Sequence, residues 1–231
     1  MRFIIAVFPF FHNSFEIGQE GCMIRAAALV AGDGAMLQGI LDSIYFKEFP
    51  DFKLEAVICP RKEDYAMVRA IRAEIPSFVV DPDLFPTSIS HSMAVANKLK
   101  DMDIELVIIA GYDVSLGVIP YQFKNRIIST IPCLIPAFED LDGDDDVVAA
   151  AIERGVKVTG ATAYFVSEDG GIGGIISQRA IPVLQGDTPE TLRARITEEC
   201  EWKLMSNAVS LYCEGRLSFR GNKVLIKEAN G

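Results

Sequence analysis

Residues 105–110 read ELVIIA, and this run decides the fold class. Its apolar side chains follow one another without alternation, which is typical of a strand that is buried on both faces. Such strands occur in parallel sheets, because the helices that connect parallel strands cover both faces of the sheet. The run therefore predicts a parallel sheet inside an α/β domain.

The segments around this run alternate between strand and helix patterns. Short apolar runs predict strands, and apolar residues at helical spacing predict the helices between them. The predicted strands are 26–31, 54–59, 77–80, 105–110 and 126–130, and the predicted helices are 36–45, 63–74 and 88–100. Repeated strand–helix–strand units form a mostly parallel sheet with helices on both faces.

The second half of the sequence changes to hairpins and a long helix. Residues 156–166 and 173–183 are rich in Val and Ile, and the Gly-rich link Asp169-Gly170-Gly171-Ile172 between them indicates a β-hairpin. Thr188 and Pro189 can cap and start a long helix that runs to about residue 213. A terminal hairpin follows, with strands at 217–219 and 223–226.

The composition excludes several classes of partner. The chain has 231 residues and a formal net charge of -10, which disfavours binding to nucleic acid or to an anionic membrane. No apolar run approaches the roughly 20 residues that span a bilayer. The five cysteines form no CxxC pair, which favours reduced thiols and a cytoplasmic protein.

The first residues differ from the rest in pattern. We predict that residues 1–24 form an N-terminal extension and that residues 25–231 form one domain. No small-residue cleavage site follows the opening MRFIIAVFPFF, so an added strand or docked arm is favoured over a signal peptide. The phenylalanines of the extension either cover this chain's own core or anchor a second copy or a paralogue; they are Phe8, Phe10, Phe11 and Phe15.

A glycine turn, Gly32-Asp33-Gly34, lies between the first predicted strand and helix. Its backbone amides could seat a phosphate at the helix N-terminus. The alternative is a tight turn without a ligand, and the negative charge of Asp33 favours that alternative.

The remaining candidate residues indicate no particular chemistry. The acidic segment 139–146 is either a Ca²⁺ or Mg²⁺ site or a solvated loop whose last aspartates favour a helix that starts near Val147. Cys133, in a Pro-bounded turn, is either an exposed nucleophile or a packing residue. His12 and His91 belong to no local catalytic signature. Residue types alone predict an α/β domain without a metal and assign no reaction.

Several segments, in order, resemble a known family. They are GDGAMLQ (32–38), LVIIAGY (106–112), IPCLIPAF (131–138), GVKVTGAT (155–162), IISQ (175–178) and IPVLQGDTPETL (181–192). Over residues 25–227 the sequence is similar to the glycinamide ribonucleotide (phosphoribosylglycinamide) formyltransferases of purine biosynthesis. The resemblance implies a formyltransferase fold: a mostly parallel, Rossmann-like sheet, a C-terminal hairpin and long helix, and a site at the carboxyl ends of the strands.

The resemblance also implies a chemistry, and this chain departs from it. In the family an amine attacks the formyl carbon of 10-formyltetrahydrofolate, and Asn, His and Asp stabilise the oxyanion and move protons. The matching positions hold Ser129, Ile131 and Gly171. We therefore expect a family member that lacks the catalytic groups.

The binding positions implied by the resemblance are partly changed as well. The phosphate turn would be Gly32, Gly34 and Ala35, where the family's Ser is replaced by Ala, and Glu201 would face the substrate sugar. The folate pterin would lie against backbone groups; the residues are Tyr112, Val114, Leu116 and Gly170.

Two functions stay open at this point. The first is a pseudoenzyme that binds a small molecule or a partner, with 10-formyltetrahydrofolate as its cofactor only if the cleft is retained. The alternative is an active 10-formyltetrahydrofolate-dependent transferase that acts on glycinamide ribonucleotide or another amine. Its replacement groups would be Asp113, Cys133, Ser129 or the aspartates of residues 142–146.

Overall fold

The computed structural model describes residues 23–139, 141 and 143–228. The expectations for residues 1–22 of the N-terminal extension, which include its phenylalanines, lie outside these residues. Ile24, which the prediction placed at the end of the extension, is the first residue of the first strand and is 2% exposed. The strands are β1 (Ile24–Val30), β2 (Phe52–Cys59), β3 (Ser77–Val79), β4 (Leu106–Ala110), β5 (Ile127–Ile131), β6 (Val158–Val166), β7 (Ile172–Pro182), β8 (Leu217–Arg220) and β9 (Lys223–Ile226). The α-helices are α1 (Ala35–Tyr45), α2 (Tyr65–Arg72), α3 (Ser88–Asp101), α4 (Ile119–Gln122), α5 (Asp144–Glu153), α6 (Pro189–Ile196) and α7 (Trp202–Cys213).

Seven strands form one sheet in the order β3-β2-β1-β4-β5-β6-β7. The first five in this order pair in parallel, and β6 and β7 add an antiparallel edge. β8 and β9 form a separate hairpin. β2 and β3 lie on one side of β1, and β4 and β5 lie on its other side. The strand order therefore reverses between the parallel neighbours β1 and β4, and this switch point opens a crevice at the carboxyl ends of the strands.

Both faces of the sheet are covered, which explains the continuous apolar strands. Along β1, alternate residues point to opposite sides: Ala26, Ala28 and Val30 join one buried cluster, and Ala27 and Leu29 join the other. Helices α1 and α7 pack in the first cluster, and α3 packs in the second. The predicted α/β formyltransferase fold, with a terminal hairpin and long helix, is confirmed.

Most element boundaries shift by one or two residues from the sequence prediction, and two larger differences shape the site. Helix α5 begins at Asp144, three residues before the predicted Val147, because aspartates stabilise the positive end of a helix when they lie in its first turn. The long helix is interrupted by a π-helical turn, Thr197–Glu201, between α6 and α7. Such a turn accommodates an extra residue and changes the face on which the following side chains lie.

The described residues include no helix that is long and apolar enough to cross a membrane.

Candidate functional site

Two neighbouring cavities lie at the carboxyl ends of β1, β4 and β5. The first, here called the central cavity, has a volume of about 580 Å³ and is lined from β5 and β6 by Ser129, Thr130 and Tyr164. The second, called the acidic cavity, has a volume of about 780 Å³ and is lined by Asp33 and Ala35 of the glycine turn and by residues of α5 and α6. The location agrees with the general rule for open α/β sheets.

Ser129 and Tyr164 face each other across the wall of the central cavity. They are directly paired in the antiparallel ladder between β5 and β6, so their side chains lie on the same face of the sheet. Burial raises the pKa of Tyr164, and a hydrogen bond with Ser129 acts in the opposite direction. This pair gives the cavity two hydroxyl groups that can donate hydrogen bonds.

The other two predicted catalytic positions contribute no polar side chain. Ile131 is half-buried at the end of β5, and its aliphatic side chain cannot donate a hydrogen bond or titrate. The backbone amide of Gly171 donates to Asp169 Oδ1 at 3.2 Å. Neither residue is among those that line the central cavity in the described part of the chain.

Three of the four positions predicted to hold the pterin lie together. Tyr112, Leu116 and Gly170 line the central cavity, whereas Val114 does not line it within the described residues. The Tyr112 hydroxyl is buried and has no hydrogen-bond partner among the described residues, and burial raises its pKa. Tyr112, Leu116 and Gly170 therefore give the central cavity apolar, aromatic and backbone surface.

Glu201 is buried, but its carboxylate is already engaged by protein groups. It is 1% exposed, ion-paired with Arg193, and accepts hydrogen bonds from the hydroxyls of Thr130 at 3.0 Å and Thr197 at 3.1 Å. Arg193 also reaches helix α5, where its Nη2 lies 2.8 Å from Asp144 Oδ2. Glu201 lines the central cavity as predicted, yet it belongs to a closed ionic network.

Asp144 is the carboxyl group of this network whose pKa lies closest to neutral pH. Desolvation raises the pKa of its carboxyl to about 6, and the negative charge of Glu201 adds to the rise. Arg193 opposes the change, as expected for an ion pair. A carboxyl with this pKa can hold or release a proton near neutral pH.

The glycine turn has the backbone of a phosphate seat, but two of its amides already have partners. The amide of Gly32 donates to Asp64 Oδ1 at 2.9 Å, and the amide of Ala35 donates to Asp33 Oδ1 at 2.8 Å. Gly34 has a φ of 70°, and a Cβ there would lie 2.9 Å from the Ala66 Cα, so glycine is required. The turn thus keeps its shape while carboxylates of the chain itself occupy two of its donors.

The acidic cavity is unsuited to an anion. Besides Asp33, four carboxylates line it: Asp145, Asp146, Glu190 and Glu198. Its one lining cation among the described residues is Arg193, which is already paired with two carboxylates. The indole of Trp202 forms part of the wall and donates to the carbonyl of Ala35 at 3.1 Å.

The candidate nucleophile and the described candidate histidine are both buried in the interior of the fold. Cys133 is fully buried, and desolvation raises the pKa of its thiol to about 11, which disfavours a nucleophile. His91 is buried with its Nε2 2.9 Å from the carbonyl of Val80. His12 lies outside the described residues, as do Asp140 and Asp142. The described residues contain no cluster of three or more groups that could hold a metal ion.

Sequence reasoning missed Arg193 as a site residue and did not single out Asp144 or Tyr164. One signal is present: Arg193, Thr197 and Glu201 are spaced by four residues, which places them on one helical face. The contact between Asp144 and Arg193 joins residues 49 apart in sequence, and no local pattern indicates it.

The raised pKa of Asp144 predicts a pH-dependent effect on stability. Because the folded protein holds this proton more tightly than an ordinary aspartate, the ionised carboxylate destabilises the fold above pH 6, and the cost disappears as the pH falls toward 4. Asp144→Asn should therefore stabilise the protein at pH 7 by about 1 kcal/mol, a value reduced for solvent screening. Urea unfolding at pH 7, 5 and 4 should show this advantage shrinking; a less stable variant at pH 7 would contradict the assignment.

Comparison with known proteins agrees with the fold. The family model described as formyl transferase matches residues 24–209. A phosphoribosylglycinamide formyltransferase of Mycobacterium tuberculosis is 33% identical over 87% of this chain and 94% of that protein. The human trifunctional purine biosynthetic protein adenosine-3 is 30% identical over 91% of this chain, which spans 20% of that longer protein.

A solved structure of a glycinamide ribonucleotide transformylase has the same fold. The crystal structure of glycinamide ribonucleotide transformylase 1 from Symbiobacterium toebii superposes with a TM-score of 0.84 at 38% identity, covering 90% of this chain and 96% of that one. The sheet order, the glycine turn and the crevice at the carboxyl ends of the strands are thus explained by descent. The chain belongs to the formyl transferase family and is a homologue of phosphoribosylglycinamide formyltransferase, an enzyme of purine biosynthesis.

Proposed function

We propose that this chain is a ligand-binding homologue of phosphoribosylglycinamide formyltransferase that does not transfer the formyl group. The observation that carries the proposal is the identity of three residues. Ser129, Ile131 and Gly171 stand where the family resemblance places the Asn, His and Asp of the reaction. A hydroxyl, an alkyl group and a hydrogen atom replace an amide, an imidazole and a carboxylate.

The expected loss of rate is large. Formyl transfer passes through a tetrahedral intermediate whose oxyanion must be stabilised by donors already in position. Removing one such donor costs about 10²–10³ in rate. Ser129 retains one hydroxyl, but Ile131 offers neither a donor nor a proton relay.

Ligand binding is supported because the central cavity remains open. Its volume of about 580 Å³ falls within the usual range for small-molecule sites. Gly111, Tyr112 and Gly170 present backbone and aromatic surface to it. We propose 10-formyltetrahydrofolate or a related reduced folate as the ligand.

An active transferase is the second candidate, and one observation favours it. Asp144 lines the same cavity as Ser129 and Tyr164, with a pKa of about 6. In this function Asp144 would take the proton of the attacking amine, and the two hydroxyls would stabilise the oxyanion. Asp144→Asn would then lower the rate, whereas the pseudoenzyme has no rate to lose.

The organisation of the rest of the protein is also a proposal. We propose that the residues before β1 are an extension outside the domain, and that the protein is cytoplasmic and binds neither nucleic acid nor membrane. The extension would either cover the chain's own core or pair with a second copy or a paralogue. A shortened chain that starts at residue 23, and so keeps all of β1, would exclude pairing through the extension if it has the same oligomeric state as the full chain.

A titration with 5-formyltetrahydrofolate, a stable reduced folate, tests ligand binding. Isothermal calorimetry should give one site, and Leu116→Trp should weaken binding by at least about tenfold because the indole fills part of the central cavity. Leu184→Trp adds the same ring at a position that is 52% exposed and does not line that cavity, so it serves as the matched control. Absence of binding to the wild-type protein, or equal effects of the two variants, would refute a folate site in this cavity.

A further inference from the structure

Arg193 stands between the two cavities. It lines both the central and the acidic cavity, as do Asp145 and Asp146 at the start of helix α5. Its side chain is 22% exposed, so it is a wall residue and not a freely moving surface group. Arg193 is therefore part of the wall that the two cavities share, between Ser129 in the central cavity and the glycine turn in the acidic cavity.

Both Nη atoms of Arg193 already have partners within the protein. Its Nη1 pairs with Glu201 and donates to the Thr197 hydroxyl at 2.7 Å, while its Nη2 lies 2.8 Å from Asp144 Oδ2. One positive charge thus faces two carboxylates. The three side chains together carry a net negative charge and therefore provide no binding site for the phosphate of a ligand.

We infer that Arg193, held by Asp144 and Glu201, is the specificity-determining residue of the cleft: it separates the two cavities and excludes ligands that carry a phosphate. The ligand class is then a molecule that carries no phosphate and binds in the central cavity. This inference rests on the proposed ligand-binding function of that cavity.

The surroundings of Arg193 support the exclusion of phosphate. The amides of Gly32 and Ala35, which would hold a phosphate at the turn, already donate to Asp64 and Asp33. A phosphate that reached the acidic cavity would meet uncompensated carboxylates. Repulsion between like charges in such a partly buried site is only weakly screened.

Asp144→Ala is the informative change. It removes the contact that ties Arg193 to helix α5, while Glu201 keeps its cation and stays compensated. Asp144 is 42% exposed, so its loss leaves no large buried void. The released guanidinium can then bind a phosphate, and a change of one unit charge at this range alters affinity by about tenfold.

The probes are glycinamide ribonucleotide and the same nucleoside without its 5′-phosphate, which differ in the phosphate alone. Glu214→Ala is the matched control, because it removes one carboxylate from an ion pair of the same 2.8 Å length at Arg216, outside both cavities. Calorimetry on the wild type and both variants should give at least about a tenfold gain in affinity for the nucleotide in Asp144→Ala alone. The affinity for the phosphate-free nucleoside should change less than about threefold, since no charge is gained on that ligand.

Two results would overturn the inference. One is a wild-type protein that binds the nucleotide at least as tightly as the phosphate-free nucleoside. The other is no gain for the nucleotide in Asp144→Ala, or an equal gain in Glu214→Ala. The proposed function is tested separately by binding of 5-formyltetrahydrofolate. If the wild-type protein binds this folate but Asp144→Ala gains no affinity for the nucleotide, the role of Arg193 is refuted and the proposed function is not.

Discussion

Introducing the three missing groups, with Ser129→Asn, Ile131→His and Gly171→Asp in one protein, is expected to raise formyl transfer at least about 100-fold over the wild-type chain. Each donor placed at the developing oxyanion is worth about 10²–10³ in rate, so the lower limit corresponds to one donor that is correctly aligned. The rate to compare is kcat/KM for transfer from 10-formyltetrahydrofolate to glycinamide ribonucleotide.

The fold can accept these side chains. Residues 129 and 131 are two apart in β5, so Asn and His would project to the same face of the sheet. Gly171 does not have a positive φ, and a Cβ there would approach Asp169 Oδ1 no closer than 3.4 Å. The substitutions therefore require no rearrangement of the backbone.

A control with the same sites changed but no donors added is Ser129→Ala, Ile131→Leu and Gly171→Ala. It should remain at the wild-type rate. If the Asn, His and Asp variant folds and its rate equals that of this control, then the lost activity has a cause other than residues 129, 131 and 171.

Arg193→Met is expected to lower the free energy of unfolding by about 3–5 kcal/mol, the typical cost of leaving a buried charge without its partner. Met keeps the length of the aliphatic stem, so the loss reports mainly on the charge. Glu201, at 1% exposure, would remain in the core with only the hydroxyls of Thr130 and Thr197. Urea unfolding at pH 7 measures the difference.

Two further variants separate charge from packing. Arg216→Met removes an ion pair in which Arg216 and Glu214 are 27% and 34% exposed, and its cost should be near 1 kcal/mol because such pairs are screened. Adding Glu201→Gln to Arg193→Met should restore part of the stability, since the unpaired charge is gone. If Arg193→Met lowers the free energy of unfolding no more than Arg216→Met does, Glu201 is not a buried charge that depends on Arg193.

The fold could be predicted from the sequence because its signals are local. Residues 106–110 are all apolar because β4 is covered on both faces, and Gly32-Asp33-Gly34 marks the turn before α1. The predicted start of α5 is three residues late because a run of aspartates resembles a loop, whereas in the structure these residues form the first helical turn. The π-helical turn before Glu201 has no comparable sequence signal.

The site could be predicted only in part, for a physical reason. Ser129, Tyr112, Leu116 and Gly170 follow from the family pattern and do line one cavity. The network of Arg193, Asp144 and Glu201 depends on three elements that meet only in the folded chain. Its effects on pKa and on ligand charge arise from burial, which a sequence pattern does not report.

A single-turnover assay tests the central claim most directly. The wild-type protein, in excess over 10-formyltetrahydrofolate and with glycinamide ribonucleotide in large excess over the protein, should consume the formylated folate no faster than buffer does, although 5-formyltetrahydrofolate binds. Transfer of the formyl group within the first minute, abolished by Asp144→Asn, would contradict the account and establish an active transferase that uses a different set of catalytic groups.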